Sequence, residues 1–207
     1  MPKQLVPATS VGFYRKIATR GWRDTEYYTF SSSSFAFRRW IAERIPRKRA
    51  TILSIGCGSG ELENQLRLAH HRVVGLDLSL HMLQRAAKIG LKRVVVADAQ
   101  RLPFAPAAFD ALLILEAIGH FDLSAAFAEA RRVLKPGGSL LITTYTARQE
   151  VQRHYRKYSF AELATALGAA EFALEEQLYL ETKRNKVKEV AADAEATLLY
   201  TAATRKP

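Results

Sequence analysis

The chain has 207 residues, 48% of them hydrophobic, enough to bury one substantial core, so a single domain is the expectation. No apolar run approaches the roughly 20 residues a membrane-spanning helix needs, no signal-peptide h-region opens the chain, and the one cysteine, Cys57, offers neither a disulfide nor a cysteine metal cluster. A soluble, cytoplasmic protein without a metal is expected, with a formal charge of +11 that is unevenly spread: residues 1–50 carry 11 Lys and Arg against 3 Asp and Glu.

In that first stretch the basic residues are interleaved with Phe13, Tyr14, Trp22, Tyr27, Tyr28, Phe30, Phe35, Phe37 and Trp40. Such a mixture suits an anionic substrate, an RNA or an acidic membrane surface, and equally a helical cap with core aromatics and solvated charges. A short helix is expected near Tyr14 to Arg20. Ser31 to Ser34 then provide hydroxyls to cap a second helix, which places Phe37, Trp40, Ile41 and Ile45 on one face and turns Arg38, Arg39 and Arg44 largely away. Pro46 ends it. Residues 1–50 thus read as a basic, aromatic cap or lid, and 51–207 as the core.

The core opens with Thr51-Ile52-Leu53-Ser54-Ile55, a buried strand running into Gly56-Cys57-Gly58-Ser59-Gly60, after which Leu62, Leu66 and Ala69 recur at helical spacing. Glycines are needed where the backbone takes conformations or approaches that a Cβ obstructs. A strand, tight loop and helix in this order should leave a cradle of backbone N–H groups at the helix start, suited to a polar cofactor end. Val73 to Asp77, Arg93 to Asp98 and Phe109 to Glu116 read as three further buried strands, each closed by an acid. Ligands of open parallel sheets bind beyond the carboxyl ends of the strands, so these acids should line one rim and face the glycine loop.

Ser79 should open a helix that packs Leu80, Leu83 and Ala87 inward. After Ala117-Ile118-Gly119-His120-Phe121-Asp122 comes a helix with Leu123, Phe127, Ala130 and Leu134 on one face, then a fifth strand from Ser139 to Tyr145. Glu150 to Lys157 is a polar, basic connection. Ser159 caps a helix bearing Phe160, Leu163, Ala164 and Leu167, which Gly168 stops. Phe172 to Glu181 and Ala196 to Thr204 read as the last two strands, joined by a lysine-rich link with a helical turn.

Four stretches together resemble the class I S-adenosylmethionine-dependent methyltransferases, especially their small-molecule branch. They are Ile55-Gly56-Cys57-Gly58-Ser59-Gly60; Gly75-Leu76-Asp77-Leu78-Ser79 with Met82-Leu83; Ala97-Asp98-Ala99-Gln100 with Leu102-Pro103-Phe104 and Phe109-Asp110; and Arg131-Arg132-Val133-Leu134-Lys135-Pro136-Gly137-Gly138. They span Thr51 to Tyr145 in family order. The resemblance implies a Rossmann-like α/β fold: a seven-stranded, mostly parallel sheet with an antiparallel last strand and helices on both faces. It implies S-adenosylmethionine as cofactor and S-adenosylhomocysteine as product.

It also implies roles. Ile55, Gly56, Cys57, Gly58 and Gly60 would form the cofactor loop, Asp77 would accept from the ribose hydroxyls, and Leu78 and Met82 would flank the adenine. Asp98 would accept from the adenine amino group with the Ala99 backbone beside it, and Glu116 would stand where the sulfonium meets the substrate. Tyr14 and Trp22 are lid candidates, and Tyr145 a pocket candidate with His154. Many relatives carry an acid where this chain has Ser54, which keeps hydrogen bonding but loses the charge.

His120 is a candidate general base, a neutral imidazole able to take a proton from a hydroxyl or amine, and equally a loop histidine with a structural hydrogen bond. A base is not obligatory, because positioning supplies much of a displacement on an activated sulfonium. A small metabolite, an anionic one included, is the expected methyl acceptor at O, N or C, with an RNA substrate the rival that the basic first segment motivates. A cofactor-binding protein without turnover is the non-enzymatic reading. A nicotinamide-dependent oxidoreductase fits poorly, since Glu61 occupies the last glycine of the Gly-x-Gly-x-x-Gly pattern.

Overall fold

A computed structural model describes residues 35–45, 49–147, 149, 151, 155–183, 186–191 and 196–207. In chain order the elements are α1 (Phe35–Glu43), β1 (Thr51–Ile55), α2 (Glu61–Leu68), β2 (Arg72–Asp77), α3 (Leu80–Lys88), β3 (Val94–Val96) and β4 (Phe109–Leu115). A 3₁₀ turn (Ile118–His120) follows, then α4 (Leu123–Val133), β5 (Leu134–Tyr145), α5 (Phe160–Ala169), β6 (Phe172–Lys183), β7 (Lys186–Val190) and β8 (Leu198–Arg205). The strands form one sheet in the order β3-β2-β1-β4-β5-β8-β6-β7. β1 to β5 pair in parallel, β8 runs antiparallel to both β5 and β6, and β7 runs antiparallel to β6.

Alternation along the strands divides the core into two layers. Leu53, Ile55, Leu112 and Ile114 face one side, where they meet Phe127 of α4 and Leu163 and Leu167 of α5. Ile52, Ala111 and Leu113 face the other, packed with Leu62 and Leu66 of α2, Ala86 of α3 and Phe37 and Ile41 of α1. The mostly parallel sheet with helices on both faces is therefore as expected, and the order reverses between β1 and β4. That reversal, where connections leave in opposite directions, is where open α/β sheets offer a crevice.

Four details differ from the sequence reading. The sheet has eight strands rather than seven, because the lysine-rich link contains β7, paired with β6 from Tyr179↔Val190 to Lys183↔Lys186. Its alternation of Lys186, Lys188 and Glu189 with Val187 and Val190 suits an outermost strand, where charges discourage further pairing. In α3 the buried residues are Met82, Leu83 and Ala86, while Leu80 is 53% exposed and Ala87 exposed. The Ser79 cap on Met82 N sets that phase and leaves Leu80 in the first turn toward solvent. β5 begins at Leu134, where α4 ends; Leu134 pairs with Phe109, and the intervening Lys135 to Gly138 bulge out before Ser139 pairs with Ala111.

The fourth concerns α1. Phe37 and Ile41 are fully buried and Ile45 nearly so, as the periodicity requires. Arg44, however, turns back across the helix, its guanidinium 3.3 Å above the Trp40 ring, within reach of Glu176 on β6 (3.9 Å) and Glu189 on β7 (3.2 Å). A flat, weakly hydrated guanidinium gains more from an aromatic face flanked by carboxylates than from water.

Candidate active site

The glycine loop is tied to the end of β2. Gly56 N and Cys57 N both donate to Leu76 O (2.7 and 3.0 Å), Gly58 N donates to the Asp77 carboxylate (3.0 Å) and Gly60 N to Cys57 O (3.1 Å). Four loop amides thus bond within the protein and make the loop rigid. Glycine is required for close approach here. Gly56 has φ +71° and a Cβ on it would sit 2.5 Å from Ala117 Cβ; Gly60, also left-handed, would place one 2.8 Å from Ala86 Cβ.

Asp77 closes β2 with one carboxylate oxygen on Gly58 N and the other on Ser79 N (2.8 Å), so its orientation is set before any ligand arrives. Burial raises its pKa, and the amides of Ser79, Gly58 and Leu78 pull it back down. Leu78 beside it is half-buried, whereas Met82 is fully buried, its methyl under Gly58. Asp98, half-buried beyond β3, accepts from Gln100 N (2.9 Å) and the Gln100 side chain (3.3 Å), and Ala99 beside it is buried. Ile55 is buried. The Cys57 thiol is half-buried, and burial together with the carboxylates of Glu63 and Asp77 pushes it well up, away from thiolate reactivity.

Ser54 has a partner that the sequence reading missed. Its hydroxyl donates to Glu63 on α2 at 2.7 Å, both residues being buried. Burial raises the Glu63 carboxyl to about 7 in spite of that bond. The available signal was the position of Glu63 between Leu62 and Leu66, on the side of α2 that must meet the sheet.

A second cluster lies where β4 and β5 end. Glu116 has φ +56°, unusual for a residue with a Cβ, and its amide is held by Thr143 O (3.0 Å) and Oγ1 (3.1 Å). The Tyr145 hydroxyl donates to the Glu116 carboxylate at 2.6 Å. Tyr155 is buried between the rings of Tyr145 (5.2 Å) and His120 (5.0 Å), and its hydroxyl meets Thr144 Oγ1 at 3.1 Å. Sequence reasoning missed Tyr155, an aromatic within a connection read as polar and basic. Among the expected site residues, Glu116, Tyr145 and His120 come together here, while Asp77, Asp98 and the glycine loop form the β1–β3 side. Tyr14, Trp22 and His154 lie outside the described residues.

Residues 53–142 match the family model described as a methyltransferase domain. A malonyl-[acyl-carrier protein] O-methyltransferase of Pseudescherichia vulneris is 34% identical over 140 residues, 67% of this chain and 55% of that enzyme. The chain spans between 23% and 59% of four other curated relatives. Among solved structures, the [4+2]-cyclase SpnF superposes with a TM-score of 0.75 at 18% identity, over 95% of both chains. The 1,6-didemethyltoxoflavin-N1-methyltransferase of Burkholderia thailandensis, solved with 1,6-didemethyltoxoflavin and S-adenosylhomocysteine, gives 0.68 at 20% identity, over 97% of this chain and 88% of that one. Sheet order, glycine loop and strand-end acids together form an open α/β sheet with a crevice at its carboxyl rim. The chain thus carries a stretch similar to a methyltransferase domain, on a fold shared with solved S-adenosylmethionine-dependent methyltransferases.

Proposed function

We propose that this protein transfers a methyl group from S-adenosylmethionine to O, N or C of a small molecule. The observation that carries the reading is Asp77, half-buried and pre-oriented by two backbone N–H groups, at the mouth of a loop whose Gly56 and Gly60 admit no side chain. A carboxylate so held is built for a vicinal diol, since two of its acceptor positions are used and others stay open. Leu78 offers an apolar wall beside it, and Asp98 and Ala99 an acceptor and a small buried contact for a purine edge. These residues fit S-adenosylmethionine, which when bound supplies an activated sulfonium methyl group.

The chain's own work is positioning. The rigid loop and Asp77 hold the nucleoside end, while Glu116, fixed by Thr143 and Tyr145, sits at the end of β4. His120, stacked edge-on against Tyr155, is the candidate to take a proton from an acceptor hydroxyl or amine. The relatives named as O-methyltransferases and the N-methyltransferase with a small heterocycle bound support a small acceptor. An RNA acceptor is favoured only by the basic residues of 1–50. SpnF, named as a cyclase, is a reminder that this fold also houses other chemistry.

Calorimetric titration of S-adenosylmethionine into wild type and Asp77→Ala is the test. Micromolar binding lost in the variant is expected. Absence of binding to the wild type would overturn the assignment, and binding without a methylated product in any metabolite extract would replace it with the non-catalytic reading.

A further inference from the structure

The amino ends of β1, β2 and β3 form the rim opposite the crevice, and that rim is basic. Arg49 precedes β1, Arg72 opens β2 opposite Thr51, and Lys92 and Arg93 lead into β3, while Arg67 and Lys88 close α2 and α3 on the same side. All six are exposed. The Arg67 guanidinium lies 3.3 Å from where a Cβ on Gly90 would stand, so the ends of α2 and α3 adjoin. Cations elsewhere, Arg44, Arg132 and Lys135 among them, face carboxylates, whereas none of these six makes an ion pair among the described residues. From Asn64 to Ala97 the sequence holds one acid, Asp77, at the far end of β2. Asp110, at the start of β4, is taken up by Lys135 and Thr51 N, both at 2.9 Å. Helix dipoles account for the cations that end α2 and α3 but not for those at the strand starts.

At the same two helix ends Leu68 and Ile89 stand out, 62% and 42% exposed. No aromatic residue occurs from Asn64 to Arg93. Single-stranded nucleic acid is held by cations together with aromatic stacking platforms. Cations around exposed aliphatics match a lipid surface instead, with charge for the phosphates and side chains for the acyl boundary. We propose that this rim docks the protein on an anionic membrane leaflet, with Leu68 and Ile89 entering the interface. Docked so, the carboxyl rim with Asp77 and Glu116 faces away from the lipid, and the contact localises the protein while leaving the crevice open to solvent. The surface is separate from the crevice, so the inference stands independently of the cofactor reading.

The test is co-sedimentation of the full chain with phosphatidylcholine vesicles containing about one-third phosphatidylglycerol, at about 0.1 M salt. Wild type should bind these and not vesicles of phosphatidylcholine alone. Each lysine near an anionic surface is worth about fivefold in binding, so Lys88→Gln with Lys92→Gln should weaken it about 25-fold. Lys186→Gln with Lys188→Gln removes the same charge from the exposed edge strand β7 and should weaken it less than about twofold, since charge held off the surface is screened. Leu68→Ser with Ile89→Ser should weaken it about tenfold through lost apolar burial. All the substituted side chains are exposed, and an unchanged urea midpoint verifies the fold of each variant. A wild type that ignores the anionic vesicles overturns the inference. So does equal weakening by the two lysine pairs, which marks a response to net charge, or binding indifferent to Lys88 and Lys92, which assigns it to residues 1–50. A Leu68 and Ile89 variant that binds as wild type overturns it too, and single-stranded RNA held by wild type but not by the Lys88 and Lys92 variant would then name nucleic acid as the partner.

Discussion

At the scale of single residues, Glu63 links stability to pH in a direction that can be worked out. Its carboxyl is raised by burial from 4.5 to about 7 in the folded protein. Between those values the folded state holds a proton that the unfolded state has released, so this contribution is complete below pH 4.5 and is lost as pH rises through about 7. The difference amounts to about 3 kcal/mol. Glu63→Gln mimics the protonated form, so its stability advantage over wild type should grow by about that amount from pH 4.5 to pH 8 without ligand. Urea unfolding across that range measures it; a gap independent of pH would show that Glu63 titrates normally. Gly56 makes a second, simpler case. Gly56→Ala puts a Cβ 2.5 Å from Ala117 Cβ at φ +71°, and should cost about 2–4 kcal/mol. Adding Ala117→Gly removes the collision and leaves about 1 kcal/mol of backbone strain.

Between elements, the segment after β3 owes its place to α4. Arg132 donates to Phe104 O (2.7 Å) and Leu102 O (2.9 Å) while paired to Glu129, which itself accepts from Leu102 N (2.6 Å). This clamp holds Leu102-Pro103-Phe104 against the helix, just beyond the Asp98–Gln100 turn. Arg132→Ala should destabilise by about 1–3 kcal/mol, because charge-assisted bonds to buried carbonyls are lost. It should also speed amide exchange from Asp98 to Phe104 and weaken cofactor binding several-fold. Hydrogen exchange confined to other segments would show that the clamp is not what orders the site. The motif residues here were legible in the sequence, but the clamp was not, since Arg132 and Phe104 are 28 positions apart and no periodicity connects them.

For the whole molecule, the early helix α1 is fastened to the end of the chain. Trp40 packs edge-on against Tyr200 of β8 (4.8 Å), and Arg44 spans from Trp40 to Glu176 and Glu189. Trp40→Ala should cost about 3 kcal/mol and loosen α1, seen as a lower denaturant midpoint. Arg44→Gln should cost only about 1 kcal/mol, because pairs open to solvent contribute little and the aromatic contact carries the rest. The basic first fifty residues make a separate prediction. If they serve an RNA, its affinity should fall steeply with salt, with a log–log slope reporting several phosphate contacts. A flat dependence would assign that charge to a small anionic substrate or to solvation.

Sequence by itself determined the strand–glycine–helix unit, the strand-end acids Asp77, Asp98 and Glu116, and the sheet's mostly parallel character. Each of these depends on local backbone demands and on periodicity, which adjacent residues express directly. Tertiary structure decided what depends on distant partners: the eighth strand, legible as an edge only once β6 lay beside it; the phase of α3; the Arg44 anchor; and the meeting of Tyr155 with His120 and Tyr145. It decided the consequence of Ser54 as well. A hydroxyl in place of a strand acid reads along the chain as a lost charge, and only packing α2 onto β1 brings the Glu63 carboxylate to within 2.7 Å of it.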